Sequence, residues 1–246
     1  MEKSYAEQYA LLEGEHWYFR ARRMILRALL SQLEWPQQPR ILEIGVGPGH
    51  NLLEVYPPDA RLEGIEPDEG LARLAARRGP ARVLQASIDR LPSEIRDECY
   101  DGVTMFDVLE HIPDDAHALQ IVNRKLRHGG RIVLTVPAYM WLWGQQDVVN
   151  QHCRRYTQGE LGEKLQAADF TVERTTYFNT FLFPPIAAVR FLAHIGRRHP
   201  APDGDFTYAP GSSNALLFNL FSSERIFLRL FDFPFGVSIF AAARKD

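Results

Sequence analysis

The stretch RILEIGVGPGHNLLEVY, Arg40 to Tyr56, restricts the fold more than any other part of the chain. A short strand-type run ends in glycines at every second position, Gly45, Gly47 and Gly49, and an apolar segment of helical type follows. Glycines so spaced let the backbone turn sharply and approach a ligand with no Cβ in the way. The pattern therefore predicts a strand–turn–helix unit around a nucleotide-like ligand. The spacing is G-x-G-x-G, not the G-x-G-x-x-G of a dinucleotide fingerprint, and the acidic Glu43 stands two positions before the first glycine.

The alternation continues downstream. Strands are expected at 40–45, 61–66, 82–87, 100–107, 130–137, 171–178 and 236–245. Helices are expected at 70–78 and 114–127, the second stopped by Gly129 and Gly130. Short strands separated by helices indicate parallel βαβ units. The expected fold is α/β, a doubly wound, mostly parallel seven-stranded sheet with its last strand antiparallel. Residues 1–39 are expected to form an N-terminal helical cap and 40–246 the ligand-binding domain. A helical insert at 180–235 would carry two apolar, aromatic-rich segments around a Pro/Gly/Ser-rich stretch at 199–213.

Composition excludes several classes. The 246 residues carry a net charge of −3, so no global basic field attracts nucleic acid, and none is expected as a partner. Cys99 and Cys153 lack metal-ligand or disulfide-framework spacing, and no metal is expected. The first residues show no secretory pattern and no apolar run is long enough to span a bilayer, which makes a cytoplasmic location the expectation.

The order of motifs resembles the class I S-adenosylmethionine (SAM)-dependent methyltransferases. LEIGVGPG is similar to their first motif and LEGIEPDEGL to the second; VLQASIDRLP, YDGVTMFDVLEHIPD and LRHGGRIVLTVP are similar to the third, fourth and fifth. Within that family the nearest likeness is to the ubiquinone- and menaquinone-biosynthesis methylases. EHWYFRARR and QHCRRYTQGEL are similar to stretches of bacterial relatives found with that branch. The resemblance implies a Rossmann-like fold and SAM as cofactor. It assigns the cofactor to Glu43, Gly45, Gly47 and Gly49, and to Glu66 with Pro67, Glu66 holding both ribose hydroxyls. Ser87 and Ile88 would lie beside the adenine, and Phe106 at the end of the fourth strand. Ser87 departs from the family's frequent Asp, so backbone groups at 87–88 would replace that side chain's hydrogen bond.

The implied activity is methyl transfer to a small or lipid-like acceptor, O-methylation being favoured over C- or N-methylation. A non-catalytic SAM- or nucleotide-binding module with an interaction insert is the alternative. A hydroxyl acceptor needs a base within hydrogen-bond reach. His111, after the fourth strand, is a candidate base or a structural, capping histidine. His152, in the loop after the fifth strand, is the other candidate. Arg154, Arg155 and Tyr156 would bind an acidic group of the acceptor or anchor the loop by salt bridges. Asp107 and Glu110 flank the same edge. Trp17 and Arg20 are expected to touch the cofactor, with most neighbouring aromatics packing on the sheet. His117 and His128 fit a helix pattern and should be solvated. The insert would shape an apolar acceptor pocket, form a dimer face, or contact a membrane surface; the chain is expected to be a monomer or homodimer.

Overall fold

The computed structural model describes residues 5–79, 81–195 and 212–246. Helices α1 (Tyr5–Glu15) and α2 (Trp17–Leu30) precede strand β1 (Arg40–Ile44) and the short helix α3 (His50–Glu54). Strand β2 (Arg61–Glu66), helix α4 (Glu69–Arg78), β3 (Arg82–Gln85) and β4 (Tyr100–Phe106) follow. Then come α5 (Asp115–Lys125), β5 (Leu126–Pro137), α6 (Gln145–Val149), α7 (Gln158–Ala167) and β6 (Phe170–Phe178). Helices α8 (Phe183–Ile195) and α9 (Ser212–Phe227) separate β6 from β7 (Ser238–Lys245).

The sheet runs β3-β2-β1-β4-β5-β7-β6. Strands β1 to β5 are mutually parallel, while β7 lies antiparallel between β5 and β6. All seven expected strands are present, and the antiparallel one is the last. Both faces of the central strands are covered, which is why β4 is buried at all seven positions and β1 reads as a continuous apolar run broken only by Glu43. The strand order reverses between β1 and β4, and the carboxyl ends on either side of that switch point form the crevice where ligands of such sheets bind.

Local signals explain the flanking helices. Asp68 caps α4 by accepting from Leu71 N–H at 2.8 Å, and Arg77 and Arg78 close its last turn. Thr157 and Glu160 form a reciprocal capping box at the start of α7. Helix α2 turns Ala21, Ile25, Leu26 and Leu29 inward, each fully buried in the core that β1 and β4 also fill. The expected helix at 114–127 ends earlier, at Lys125. Leu126 is already extended and β5 begins there, with a register shift in its pairing to β4. His128 consequently lies on a strand, not a helix, and like His117 it is exposed.

The insert leaves the sheet at the same edge as the carboxyl ends of β4 and β5, since Pro137, Ser238 and Phe178 lie side by side in register. Buried Glu224 of α9 ties it there, accepting from the N–H groups of Asn179 at 2.7 Å and Phe181 at 2.8 Å. Burial raises the pKa of Glu224 to about 7. The stretch 199–213 lies outside the described residues except for its last two. No helix among the described residues is long and apolar enough to cross a membrane.

Candidate functional site

Three glycines in one turn have three different surroundings. A Cβ on Gly45 would come within 2.6 Å of Val108 Cγ2, and one on Gly49 within 2.9 Å of Ala75 in α4. Those two positions are small because the protein packs against them. A Cβ on Gly47 would meet only Glu13 Oε2, at 3.5 Å, so its face is open. Gly47 also has φ +54°, in the left-handed region that favours glycine.

Carboxylates surround this turn. Glu66, at the carboxyl end of β2, accepts from Gly47 N–H at 2.8 Å and from Asp68 N–H at 3.1 Å. Burial raises its pKa. Glu43, on β1, is buried; Oε1 accepts from Asn51 at 2.9 Å and Oε2 has no hydrogen-bond partner. Burial pushes Glu43 up to about 8 and Glu13 up to about 7. An acid collar around an open glycine suits a ligand that is cationic and rich in donors. SAM has that chemistry, carrying a sulfonium, an amine and a ribose diol. A carboxylate whose oxygens already accept backbone hydrogens keeps further lone pairs for a diol.

Ser87 and Ile88 follow β3 immediately beside Glu66, where Ala86 N–H donates to Glu66 O at 3.1 Å. Ile88 is buried, Ser87 half-buried and Pro67 exposed. Phe106 ends β4 facing Tyr56, with ring centroids 6.5 Å apart, and the Arg22 guanidinium lies 5.9 Å from its ring.

Trp17 and Arg20 pack against helix α9. Trp17 meets Phe221 edge-on with centroids 6.2 Å apart, and the Arg20 guanidinium lies over Phe218 at 5.0 Å. Helix α9 occupies the space in front of this face of α2, so these side chains anchor the insert. The N-terminal residues that do reach the site are Glu13 and Arg22. Arg22 is buried, donates to Thr135 Oγ1 at 3.0 Å and pairs with Asp107 at 2.8 Å. Nothing local in the sequence separates them from ordinary amphipathic-helix charges.

A second polar cluster sits past β4. Asp107 adopts φ +55°, a strained value for a non-glycine residue, and Thr135 Oγ1 donates to its carboxylate at 2.8 Å. Just beyond it, Glu110 is fully buried and neither carboxylate oxygen has a hydrogen-bond partner. Burial pushes its pKa well above the carboxylate range. His111 and His152 stand edge to face with ring centroids 4.7 Å apart. His152 Nδ1 lies 2.8 Å from buried Asp147, and the His111 ring bonds the Asn150 carbonyl. Lost hydration and the neighbouring His152 hold His111 below the ordinary imidazole range. The two candidate histidines, 41 positions apart, are thus brought together, and a carboxylate oxygen of Glu110 lies within 4.8 Å of a ring nitrogen of each.

Of the two roles expected for Arg154, Arg155 and Tyr156, the contacts present are those of loop anchoring. Arg154 pairs with Asp115 at 2.6 Å, and the Tyr156 hydroxyl donates to the same carboxylate at 2.9 Å. Arg155 grips Asp147 through Nε at 2.8 Å and Nη2 at 3.0 Å, and donates to Ala138 O at 3.1 Å. Burial tends to raise the Asp147 pKa, yet His152 and Arg155 override it and hold that carboxyl down at about 2. All three residues are consumed in fastening the loop that presents His152. Asp147, the anchor, escaped notice because its partners lie five and eight positions downstream with no motif marking them.

Comparison with known proteins bears on the family and the fold. Residues 16–175 match the family model described as a methyltransferase domain. A probable S-adenosylmethionine-dependent methyltransferase of Mycolicibacterium smegmatis is 28% identical over 167 residues, covering 67% of this chain and 63% of that protein. The ubiquinone biosynthesis O-methyltransferase of Aeromonas salmonicida is 33% identical over 101 residues, covering 39% of this chain and 42% of that one. The matches thus span less than two thirds of the length of either relative. Among solved structures, an S-adenosylmethionine-dependent methyltransferase from Mesorhizobium loti superposes with a TM-score of 0.59 at 16% identity, covering 94% of this chain and 99% of that one.

Proposed function

The chain belongs to the methyltransferase-domain family, and from that premise we propose that it transfers a methyl group from SAM to an oxygen of a small or lipid-like acceptor. The observation that carries the reading is Glu66 at 2.8 Å from the open Gly47, a carboxylate at the rim of the one glycine of this turn that has room beside it. In this reading Glu66 receives the ribose diol, Gly47 admits the ligand backbone-close, and Glu13 and Glu43 face its cationic end. Ser87 and Ile88 border the base, and Phe106 closes the floor. Bound SAM supplies a methyl already activated on a sulfonium. The protein's own work is then alignment, exclusion of water and removal of the acceptor's proton.

That proton is assigned to the cluster after β4. Asp147 and the Asn150 carbonyl orient the two imidazoles, which leaves a lone pair on each ring toward the Glu110 side. Burial and the neighbouring His152 lower the His111 pKa, which favours the neutral imidazole that accepts a proton. The insert supports an apolar acceptor. An open cavity of about 540 Å³ is lined by Thr180, Phe181, Pro184, Leu220, Phe233 and Phe235. Stacked Tyr139 and Tyr177, then Phe183 and Phe235, link it to the loop after β5. Exposed Val189, Phe191 and Leu192 on α8 and Leu216 on α9 favour, in addition, an apolar contact surface on the insert, toward a membrane or a second copy.

The test is to incubate the protein with methyl-labelled SAM and either a lipid or a polar extract. Label in an organic-soluble methyl ether or ester is the expected result. Label found only on carbon or nitrogen would retire O-methylation.

A further inference from the structure

We propose that Glu110, His111 and His152 form a binding site for one divalent transition-metal ion. Each residue offers one ligand atom, and the three atoms lie within 4.8 Å of one another. Donors sharing an ion at about 2.0–2.2 Å stand about 3–4 Å apart, so a small rotation completes the set. His111 is exposed.

Glu110 is the observation that demands an occupant. It is fully buried, and both of its oxygens lack any hydrogen-bond partner. A buried carboxyl left unpaired costs several times what a satisfied one does. Protein side chains solve the same problem for its neighbours: Arg22 and Thr135 take Asp107, and Arg155 and His152 take Asp147. Glu110 alone of these three acids is left open, on the side where two imidazoles converge.

The surroundings are also those of ligands, beyond the trio itself. His152 gives Nδ1 to the Asp147 carboxylate, itself locked by Arg155 and Gly144 N–H, which leaves Nε2 as the donor atom. His111 is likewise held by a backbone carbonyl through one ring nitrogen. Orientation of metal-bound imidazoles by a carboxylate or carbonyl is the usual outer-shell arrangement. Two imidazoles and one carboxylate select zinc, cobalt, manganese or iron over magnesium or calcium. Three protein ligands leave positions open for a further oxygen. On the reading proposed above, that oxygen is the acceptor's. The ion would lower its pKa and its proton would pass to solvent, so the imidazoles would then act as ligands and not as the base. Ion binding itself does not depend on that reading.

The experiment uses the full chain, stripped with chelator and titrated with Co²⁺, read by visible ligand-field absorbance and by metal content after dialysis. One equivalent should bind, with bands that mark nitrogen–oxygen coordination. His111→Ala and His152→Ala should each weaken Co²⁺ at least tenfold, and Asp147→Asn by about 10–100-fold through the outer shell. His111→Ala is the decisive variant, because an exposed side chain can be removed without unfolding the protein; circular dichroism and thermal melting verify its fold. No stoichiometric Co²⁺ on folded wild-type protein, or an unchanged affinity in both histidine variants, would overturn the site. Failure of SAM to bind would instead refute the methyltransferase reading, since the metal titration contains neither SAM nor acceptor.

Discussion

Gly47 N–H donates to Glu66 Oε2 across 2.8 Å, so the turn after β1 and the end of β2 are joined by a single side chain. A substitution at Gly47 therefore strikes two things, the left-handed backbone and the open face. Gly47→Val should abolish detectable SAM binding, because a β-branched residue is an outlier at φ +54° and its methyls fill the ligand's space. The fold should survive, since only Glu13 lies near the added atoms. Calorimetry beside circular dichroism checks both halves, and normal SAM binding would refute the role of the turn.

The acid collar should make SAM binding pH-dependent. Burial raises Glu13 to about 7 against the lowering charges of Arg22, Arg23 and Arg78, with Glu54 opposing them. It raises Glu43 to about 8, next to Asn51, Tyr56, Glu13 and Arg22. A cationic ligand favours the ionised carboxylates, so affinity should rise from pH 6 to 7.5, with protons released on binding. Calorimetry in buffers of different ionisation enthalpy measures this; affinity that falls with pH would contradict it. The free protein should behave oppositely. Raised folded-state pKa values stabilise below the unfolded value of 4.5, and that stability is lost as pH climbs through about 7 to 8. Glu43→Gln should therefore flatten the decline of melting temperature between pH 5 and 8.

Arg155 is a fastening residue. Arg155→Ala leaves the fully buried Asp147 carboxylate without its bidentate partner, at a cost of about 3–5 kcal/mol. Thermal melting should show a drop of several degrees, while SAM affinity stays within about twofold, because the loop lies away from the glycine turn. A variant as stable as wild type would show that the loop is held by other means.

Removal of the proton predicts a kinetic signature. With an acceptor in hand, His111→Ala and His152→Ala should each lower turnover under saturating SAM by about 10²–10⁴-fold, without change in SAM affinity. Near-full turnover in both variants would mean that the acceptor atom needs no help in losing a proton.

The sheet was legible because its strands are short apolar runs covered on both faces, as in Val103–Phe106, and because glycine spacing marks the ligand edge. The ends of elements were less so. The helix before β5 stops at Lys125 because pairing of Leu126 with Tyr100 outcompetes another helical turn, a tertiary effect that Gly129 and Gly130 do not announce. The placement of Glu66 at the end of β2 beside the glycine turn was legible from strand order, and so was that of His111 just after β4. Contacts were not legible where a side chain's partner is remote in sequence. Trp17 and Arg20 answer to α9, some two hundred positions on, and Arg154 to Asp115. Glu110 was visible as a neighbour of His111, but its unpaired state follows only from burial in three dimensions.

The central claim is that the Gly47–Glu66 edge receives SAM, and titration calorimetry of SAM and NAD into wild-type and Glu66→Ala protein tests it most directly. Wild type should bind SAM at one site and NAD not at all. Loss of two charge-assisted hydrogen bonds in folded Glu66→Ala should weaken SAM by about 2–4 kcal/mol, roughly 30- to 1,000-fold. A folded Glu66→Ala protein with unchanged SAM affinity, or a wild type that prefers NAD, would contradict the account.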